Sequence, residues 1–295
     1  MVSRRGFYMG ILLMSSLLVS CGIGKKNDST EEKPDERDEQ NLFDVTDEED
    51  ILVETEKEQD IIVAQAKEQV DNSAGGIMTI ADIKQMAAGT VLETSILEDL
   101  VVEELFHIEK INDDLKLRIN GKSYKENCDV PYENLRYIRV LHKNFEDKTQ
   151  IGEMIVNKSV AEDVVDIFKE LYDANYPIER MVLVDEYDAD DNASMEANNS
   201  SAFNFRFIDG TTKRSSHSDG LAIDINPLYN PYVRTIDGKQ NVLPTNGVEY
   251  ADRSLDNPYY IRKDDVCYKA FTKRGFSWGG EWKHSKDYQH FQKED

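Results

Sequence analysis

Two short segments, far apart in this chain, draw their meaning from each other. The first is Ser215-Ser216-His217-Ser218-Asp219-Gly220-Leu221-Ala222-Ile223-Asp224, and the second is Asp287-Tyr288-Gln289-His290. Gly220 permits a tight turn into a strand. On that strand Leu221, Ile223 and Ile225 share one face, while Ala222 and Asp224 share the other. A carboxylate beside a core strand is costly unless it is paired or coordinated. Asp224 therefore either ligates a metal or pairs with a cation such as Arg206. Together His217, Asp224 and His290 offer two imidazoles and a carboxylate, the donor set of a mononuclear zinc site. Asp287 adds a second carboxylate that could take a proton from water. His284 is the rival ligand and Glu281 the rival base. An Asp-x-x-His pair alone is weak evidence; joined to His-x6-Asp and the intervening Trp278-Gly279-Gly280-Glu281-Trp282, it is strong.

The charge of the chain limits its partners. The formal net charge is −23 over 295 residues. Residues 22–60 hold 16 Asp and Glu against 5 Lys and Arg, a net of −11 and so about half the total. Such a balance argues against nucleic-acid binding, which needs a basic surface, and the acidic run reads as a solvated segment. No obligate protein partner is evident. At the N-terminus, Arg4 and Arg5 precede an apolar run over residues 7–19, too short to span a bilayer comfortably and typical of an export signal. Leu18-Val19-Ser20-Cys21 resembles the lipobox of bacterial lipoproteins. That resemblance implies cleavage before Cys21, a lipid on Cys21, and attachment to the outer face of the cell membrane. Residues 3–7 also look like a twin-arginine signal, so the export route stays open. Cys128 and Cys267 could form a disulfide in an exported protein or remain buried free thiols. Neither has the paired spacing of a zinc knuckle.

Four regions follow from composition and periodicity: residues 1–20 as signal, 21–83 as acidic linker, 84–120 as a helical adaptor, and 121–295 as the main domain. The linker would reach about 45 Å as a random coil. In the adaptor, Ile96, Leu97, Leu100, Val101, Leu105 and Ile108 recur at roughly helical spacing. The main domain mixes helix and strand. Residues 135–141 alternate as a strand. Ser159-Val160-Ala161-Glu162 has the capping-box pattern and opens a helix with Val160, Val164, Ile167, Phe168 and Leu171 on one face, stopped before Pro177. Residues 181–184 read as a short strand. Phe203, Phe205 and Phe207 alternate with Asn204 and Arg206, placing the aromatics in the core and Arg206 on the other side. A last helix is expected near residues 263–273, stopping at Gly275.

At the motif residues the chain resembles the M15 metallopeptidases. These include D-alanyl-D-alanine carboxypeptidases, dipeptidases of vancomycin resistance and phage L-alanyl-D-glutamate endolysins. The resemblance covers about residues 121–295 and is most specific from Asn198 onward. Ser215, His217, Gly220, Ala222 and Asp224 meet the pattern Ser-x-His-x-x-Gly-x-Ala-x-Asp, and Trp278–Trp282 and Asp287–Phe291 meet the closing elements. The resemblance implies an α+β fold of the hedgehog and DD-peptidase type, with a small antiparallel sheet and flanking helices. It further implies zinc held by His217, Asp224 and His290, with Asp287 as general base and acid. Arg206 would steady the carbonyl oxygen, Ser215 would lie near substrate, and Trp278 and Trp282 would wall the cleft. The vancomycin-resistance dipeptidases carry Glu where this chain has Asp287, which makes a free dipeptide a poorer substrate. Residues 227–260, with Asn230-Pro231-Tyr232 and Asn257-Pro258-Tyr259, fall outside the minimal motif and are expected at the cleft. The implied activity is zinc-dependent hydrolysis of peptidoglycan peptides, of the D-Ala-D-Ala carboxypeptidase kind. Alternatives are an endopeptidase of the same family or a non-catalytic, zinc-bound wall-binding lipoprotein. Intact Asp287 and Arg206 argue against the last.

Overall fold

The computed structural model describes residues 78–208 and 211–294. The signal, Cys21 and the linker up to residue 77 lie outside the described residues. The first described segment begins with α1 (Ile80–Gln85), opened by a capping box in which Thr79 and Asp82 bond each other's backbone. Then come β1 (Val91–Leu92), α2 (Thr94–Leu97), β2 (His107–Lys110) and α3 (Asp113–Ile119).

This differs from the single helical adaptor expected over 84–120. Leu97 and Leu105 are buried and Ile96 and Leu100 pack against them, whereas Val101 is exposed, and β1 and β2 are claimed by sheet pairing. They form the two edges of a four-stranded antiparallel sheet around β3 (Leu135–Lys143) and β4 (Thr149–Asn157), in the order β1-β4-β3-β2. A ladder over a long neighbouring hairpin overrides local helix preference. The described residues accordingly fall in one compact unit.

β3 and β4 pair along their whole length, from Leu135 opposite Asn157 to Lys143 opposite Thr149. Against one face lies α4 (Ala161–Asp173), whose Val164, Ile167, Phe168 and Leu171 pack with Ile138, Val140, Met154 and Val156. The helix begins where expected, but the capping box does not form. Val160 is the cap residue with no side-chain bond, because Ser159 instead donates its hydroxyl to Asn157 Oδ1 at 2.9 Å. Through the sheet, buried Glu153 takes a bidentate pair from Arg118 at 2.6 and 2.9 Å and a bond from the Leu183 N–H.

That last bond helps explain why residues 181–184 are not a strand. Val182 exchanges both backbone bonds with the Asn199 side chain, at 2.9 and 3.0 Å, leaving no ladder to join. Residues 202–207 are extended but also unladdered. Phe203 N donates to Ile155 O, Asn204 N to His217 O and Phe205 N to Ser123 O, so successive bonds leave in different directions. Phe203 and Phe205 are buried as expected, whereas Phe207 is 48% exposed at the end of the run.

After α5 (Asp191–Glu196) come β5 (Ala222–Asp224), β6 (Tyr232–Ile236), β7 (Lys239–Leu243), α6 (Val266–Thr272), β8 (Ser277–Trp278), β9 (Ser285–Asp287) and β10 (His290–Gln292). They build two three-stranded antiparallel sheets, β5-β10-β8 and β7-β6-β9. α6 is capped by Asp265, which accepts from the Tyr268 N–H, and its Phe271 stacks on Phe291 of β10 with centroids 4.1 Å apart. Mixed helix and small antiparallel sheets agree with the expected α+β class. Cys128 and Cys267 are free thiols in separate cores.

Candidate metal centre

The register of β5 and β10 sets Asp224 directly opposite His290. His217 arrives from a 3₁₀ turn over Ser216–Asp219, with Ser215 Oγ accepting from its N–H. The turn ends at Gly220, where φ is +69°. A Cβ there would lie 2.6 Å from the Asn157 backbone nitrogen. Gly220→Ala is therefore expected to cost about 1–3 kcal/mol from the left-handed backbone alone, plus the clash with β4. Thermal melting should show a fall of several degrees, and the turn holding His217 should loosen. An unchanged midpoint would mean that the turn has slack.

The three side chains converge. His217 Nε2 lies 3.2 Å from Asp224 Oδ2, His290 Nδ1 lies 3.0 Å from Asp224 Oδ1, and the two ring nitrogens are 3.2 Å apart. All three residues are buried. The other ring nitrogens identify the tautomers. His217 Nδ1 sits 2.6 Å from the Ala202 carbonyl, and His290 Nε2 sits 3.0 Å from Gln292 Oε1. The Ala202 carbonyl can only accept, so it takes the His217 Nδ1–H. Gln292 Oε1 likewise takes the Nε2–H of His290, and it also accepts from Ser216 Oγ. In the neutral rings both remaining lone pairs then point at the Asp224 carboxylate and at each other. Lone pairs facing lone pairs in a dry site need a cation between them.

Zinc fits this donor set. Bonds of about 2.0–2.1 Å at tetrahedral angles place neighbouring donors about 3.3–3.4 Å apart; the two ring nitrogens are 3.2 Å apart, and one ligand atom from each of the three residues lies within 4.8 Å of the others. The outer contacts to a carbonyl and an amide oxygen are those that orient metal-binding imidazoles. With no metal, a proton takes the cation's place. Burial alone would push His290 down, but the adjoining Asp224 carboxylate outweighs it and raises the imidazole to about 9. Asp224 is held well below the usual carboxylate range: burial works against this, and the neighbouring His217 and His290 prevail.

A cleft of about 260 Å³ opens over this centre. Asp287, Arg206, Ser215 and Trp282 all line it, so most of the residues expected at the site are brought together. Asp287 Oδ1 is buried with no hydrogen-bond partner among the described residues. Burial chiefly, and then the Asp224 charge, raise its pKa to about 7, against the pull of His290. Gly279 makes room for it, since a Cβ there would fall 2.8 Å from Asp287 Cβ. Arg206 does not pair with Asp224. Its Nη2 contacts Asp191 Oδ2 at 2.8 Å, and its Nε is buried without a partner among the described residues. Its backbone is laced to the His217 turn through Ser218 Oγ.

One expected cleft residue and the two rivals lie elsewhere. Trp278 is a core residue, its indole N–H donating to the Tyr288 carbonyl at 2.9 Å. Glu281 turns to Lys263 at 3.0 Å and to the Tyr268 hydroxyl, away from the cleft lining. His284 is exposed and outside the cleft lining. Other lining residues were not anticipated individually: Asp191 and Met195 from α5, Gln289 and Gln292, and Tyr232, Arg234 and Leu243 from the β6–β7 hairpin. The hairpin had a readable signal in Asp237-Gly238, whose φ angles of 50° and 74° fit a type I′ turn.

Residues 209–293 match the model of an M15 peptidase family described as D-alanyl-D-alanine carboxypeptidase. The match supports placing this segment with the M15 peptidases. It takes in His217, Asp224, Asp287 and His290, and Arg206 lies just before it. No curated protein and no solved structure matches the chain.

Proposed function

We propose that this chain is a zinc-dependent peptidase of peptidoglycan peptides, of the D-alanyl-D-alanine carboxypeptidase kind. The observation that carries this reading is the convergence of His217 Nε2, His290 Nδ1 and Asp224 within 3.0–3.2 Å of one another, beneath a cleft that also holds Asp287. His217, Asp224 and His290 would hold the ion. Bound zinc supplies Lewis acidity and brings the pKa of water to about 7.

The protein's own groups do the rest. Asp287 accepts a proton from the attacking water as the new C–O bond forms, and then returns it to the peptide nitrogen as the C–N bond breaks. Arg206 donates to the carbonyl oxygen as negative charge grows there, with Asp191 holding its guanidinium in place. The Ala202 carbonyl and Gln292 keep both imidazoles turned inward. Trp282, whose ring centroid is 5.3 Å from that of His290, shields one side of the centre from solvent.

Incubating the zinc-loaded chain with muropeptides tests this. Mass spectrometry should reveal loss of a terminal residue. A cross-link or stem cut would instead indicate an endopeptidase. Peptide binding without any product would favour a wall-binding lipoprotein and sink the enzymatic reading.

The same reading places the catalytic unit outside the cell membrane, tethered by a lipid on Cys21 and raised into the wall by the acidic segment. It rests on the apolar run and lipobox-like residues at 18–21. The mass of the mature N-terminal peptide decides it, and an unmodified Cys21 would refute it.

A further inference from the structure

One wall of the cleft is the sheet β7-β6-β9, and one row across it runs Leu243, Tyr232, Asp287. Residues directly opposite in a ladder project to the same face, with Cβ atoms about 4.5–5.5 Å apart. All three line the cleft, in agreement with that register. Tyr232 lies on β6, the middle strand, so ladders on both sides fix its backbone. Its side chain therefore leaves the wall beside that of Asp287.

The Tyr232 ring is half-buried, and the Arg234 guanidinium carbon lies 5.7 Å from its centre. Its hydroxyl makes no hydrogen bond among the described residues. A phenol hydroxyl can donate and accept. The tyrosine side chain is the longer of the two, so its hydroxyl stands further out into the cleft than the Asp287 carboxylate. A peptide within hydrogen-bond reach of Asp287, about 2.6–3.2 Å, thus runs past the hydroxyl. The groups of the bond to be cut are already matched. In the peptidase reading Arg206 takes the carbonyl oxygen and Asp287 serves the nitrogen. The next polar group beyond that nitrogen is the carboxyl carbon's oxygen on the residue that leaves as the amine. A carbonyl or carboxylate oxygen only accepts, so it calls for a donor, and the phenol O–H is one.

We propose that Tyr232 is a substrate-binding residue whose hydroxyl donates to the carbonyl or carboxylate oxygen of the residue released as the amine. This rests on the peptidase reading above. The oxygen belongs to a terminal carboxylate if a last residue is removed, and to a peptide carbonyl if a bond within the stem is cut.

The test compares the full zinc-loaded chain with Tyr232→Phe, which removes the hydroxyl alone, on three synthetic stem peptides. One ends in a released alanine with its carboxylate free. One continues by a further residue, so that the same carboxyl is an amide carbonyl. One carries an isopropylamide in its place, an alanine without the carboxyl group. If the partner is the charged oxygen, Tyr232→Phe should lower kcat/KM on the first peptide about ten- to hundredfold, chiefly through KM. If it is a neutral carbonyl, the fall should be about three- to tenfold and on the second. On the isopropylamide the two proteins should agree within about twofold, read as an inhibition constant where turnover is too slow. Zinc stoichiometry and melting midpoint should not change. Agreement of the two proteins on all three peptides, or an equal loss on the isopropylamide, overturns the inference and leaves the peptidase reading standing. If the unaltered chain cuts none of the three, the peptidase reading fails. Calorimetric affinities of the same peptides for the two proteins then decide the role of Tyr232, and equal affinities overturn it.

Discussion

Asp287→Asn should reduce kcat/KM on a cleavable stem peptide by about 10²–10⁴-fold, the usual range for a lost general base, while zinc stoichiometry stays at one. The substitution is nearly isosteric, so the close approach to Gly279 is preserved. What disappears is an acceptor that can ionise. The carboxylate must be charged to take a proton, so activity should fall as pH drops. In the metal-free chain burial pushes its pKa up to about 7. A cation held by the adjoining ligands favours the charged form, so the zinc-loaded enzyme should have an acidic limb with its midpoint below 7. A pH–rate profile checks this. The limb should vanish in Asp287→Asn, and an unchanged limb would assign it to another group.

Removing a ligand should have a comparably large effect on a different quantity. Structural zinc sites are worth about 10–16 kcal/mol in all, so one ligand's share corresponds to roughly 10²–10³-fold in affinity. Asp224→Ala and His290→Ala should each weaken zinc by that much in competition with a chelator. Retention of tight zinc by either variant would mean that the ion sits elsewhere. The metal-free chain offers a second readout. His290 is raised from its ordinary 6.5 to about 9 by Asp224. A folded-state pKa above the unfolded one contributes stability that is fully present below pH 6.5 and is lost as pH rises through about 9. The melting midpoint of the metal-free chain should therefore decline over that window. It should do so much less in Asp224→Ala, where the anion that raises the imidazole is gone.

The convergence of His217, Asp224 and His290 was legible because their chemistry has few substitutes. A buried Asp on an apolar strand, together with His residues beside glycine and aromatic signals, has few stable explanations. Helix α4 was legible for a similar reason, since its apolar stripe is long and regular. The two misread strands share a cause: backbone partners supplied by distant residues. Asn199 captures both hydrogen bonds of Val182, and the segment through Phe203 and Phe205 sends its bonds to three different neighbours. No local pattern encodes either arrangement. β1 and β2 were missed because two- and four-residue edge strands carry too little periodicity to outweigh a helical reading. Trp278 was assigned to the cleft by its company in a motif. Its environment is set by Phe291 and Tyr288, and its neighbouring glycines serve close packing: a Cβ on Gly280 would overlap the Trp278 ring.

Asp287 ends one sheet and His290 begins another, with Tyr288 and Gln289 between them. Arg253 clamps that junction, its guanidinium carbon lying 3.8 Å from the centre of the Tyr260 ring and 4.3 Å from that of Tyr288. The sheet carrying Asp224 and His290 and the sheet carrying Tyr232 and Asp287 are thus separate modules joined at a pinned corner. Substitutions on the cleft-facing side of β6 and β7 should therefore reshape the cleft wall while leaving β5 and β10 in place. For the protein engineer, Tyr232, Arg234 and Leu243 are the positions to diversify, and β5 and β10 are the frame to leave alone.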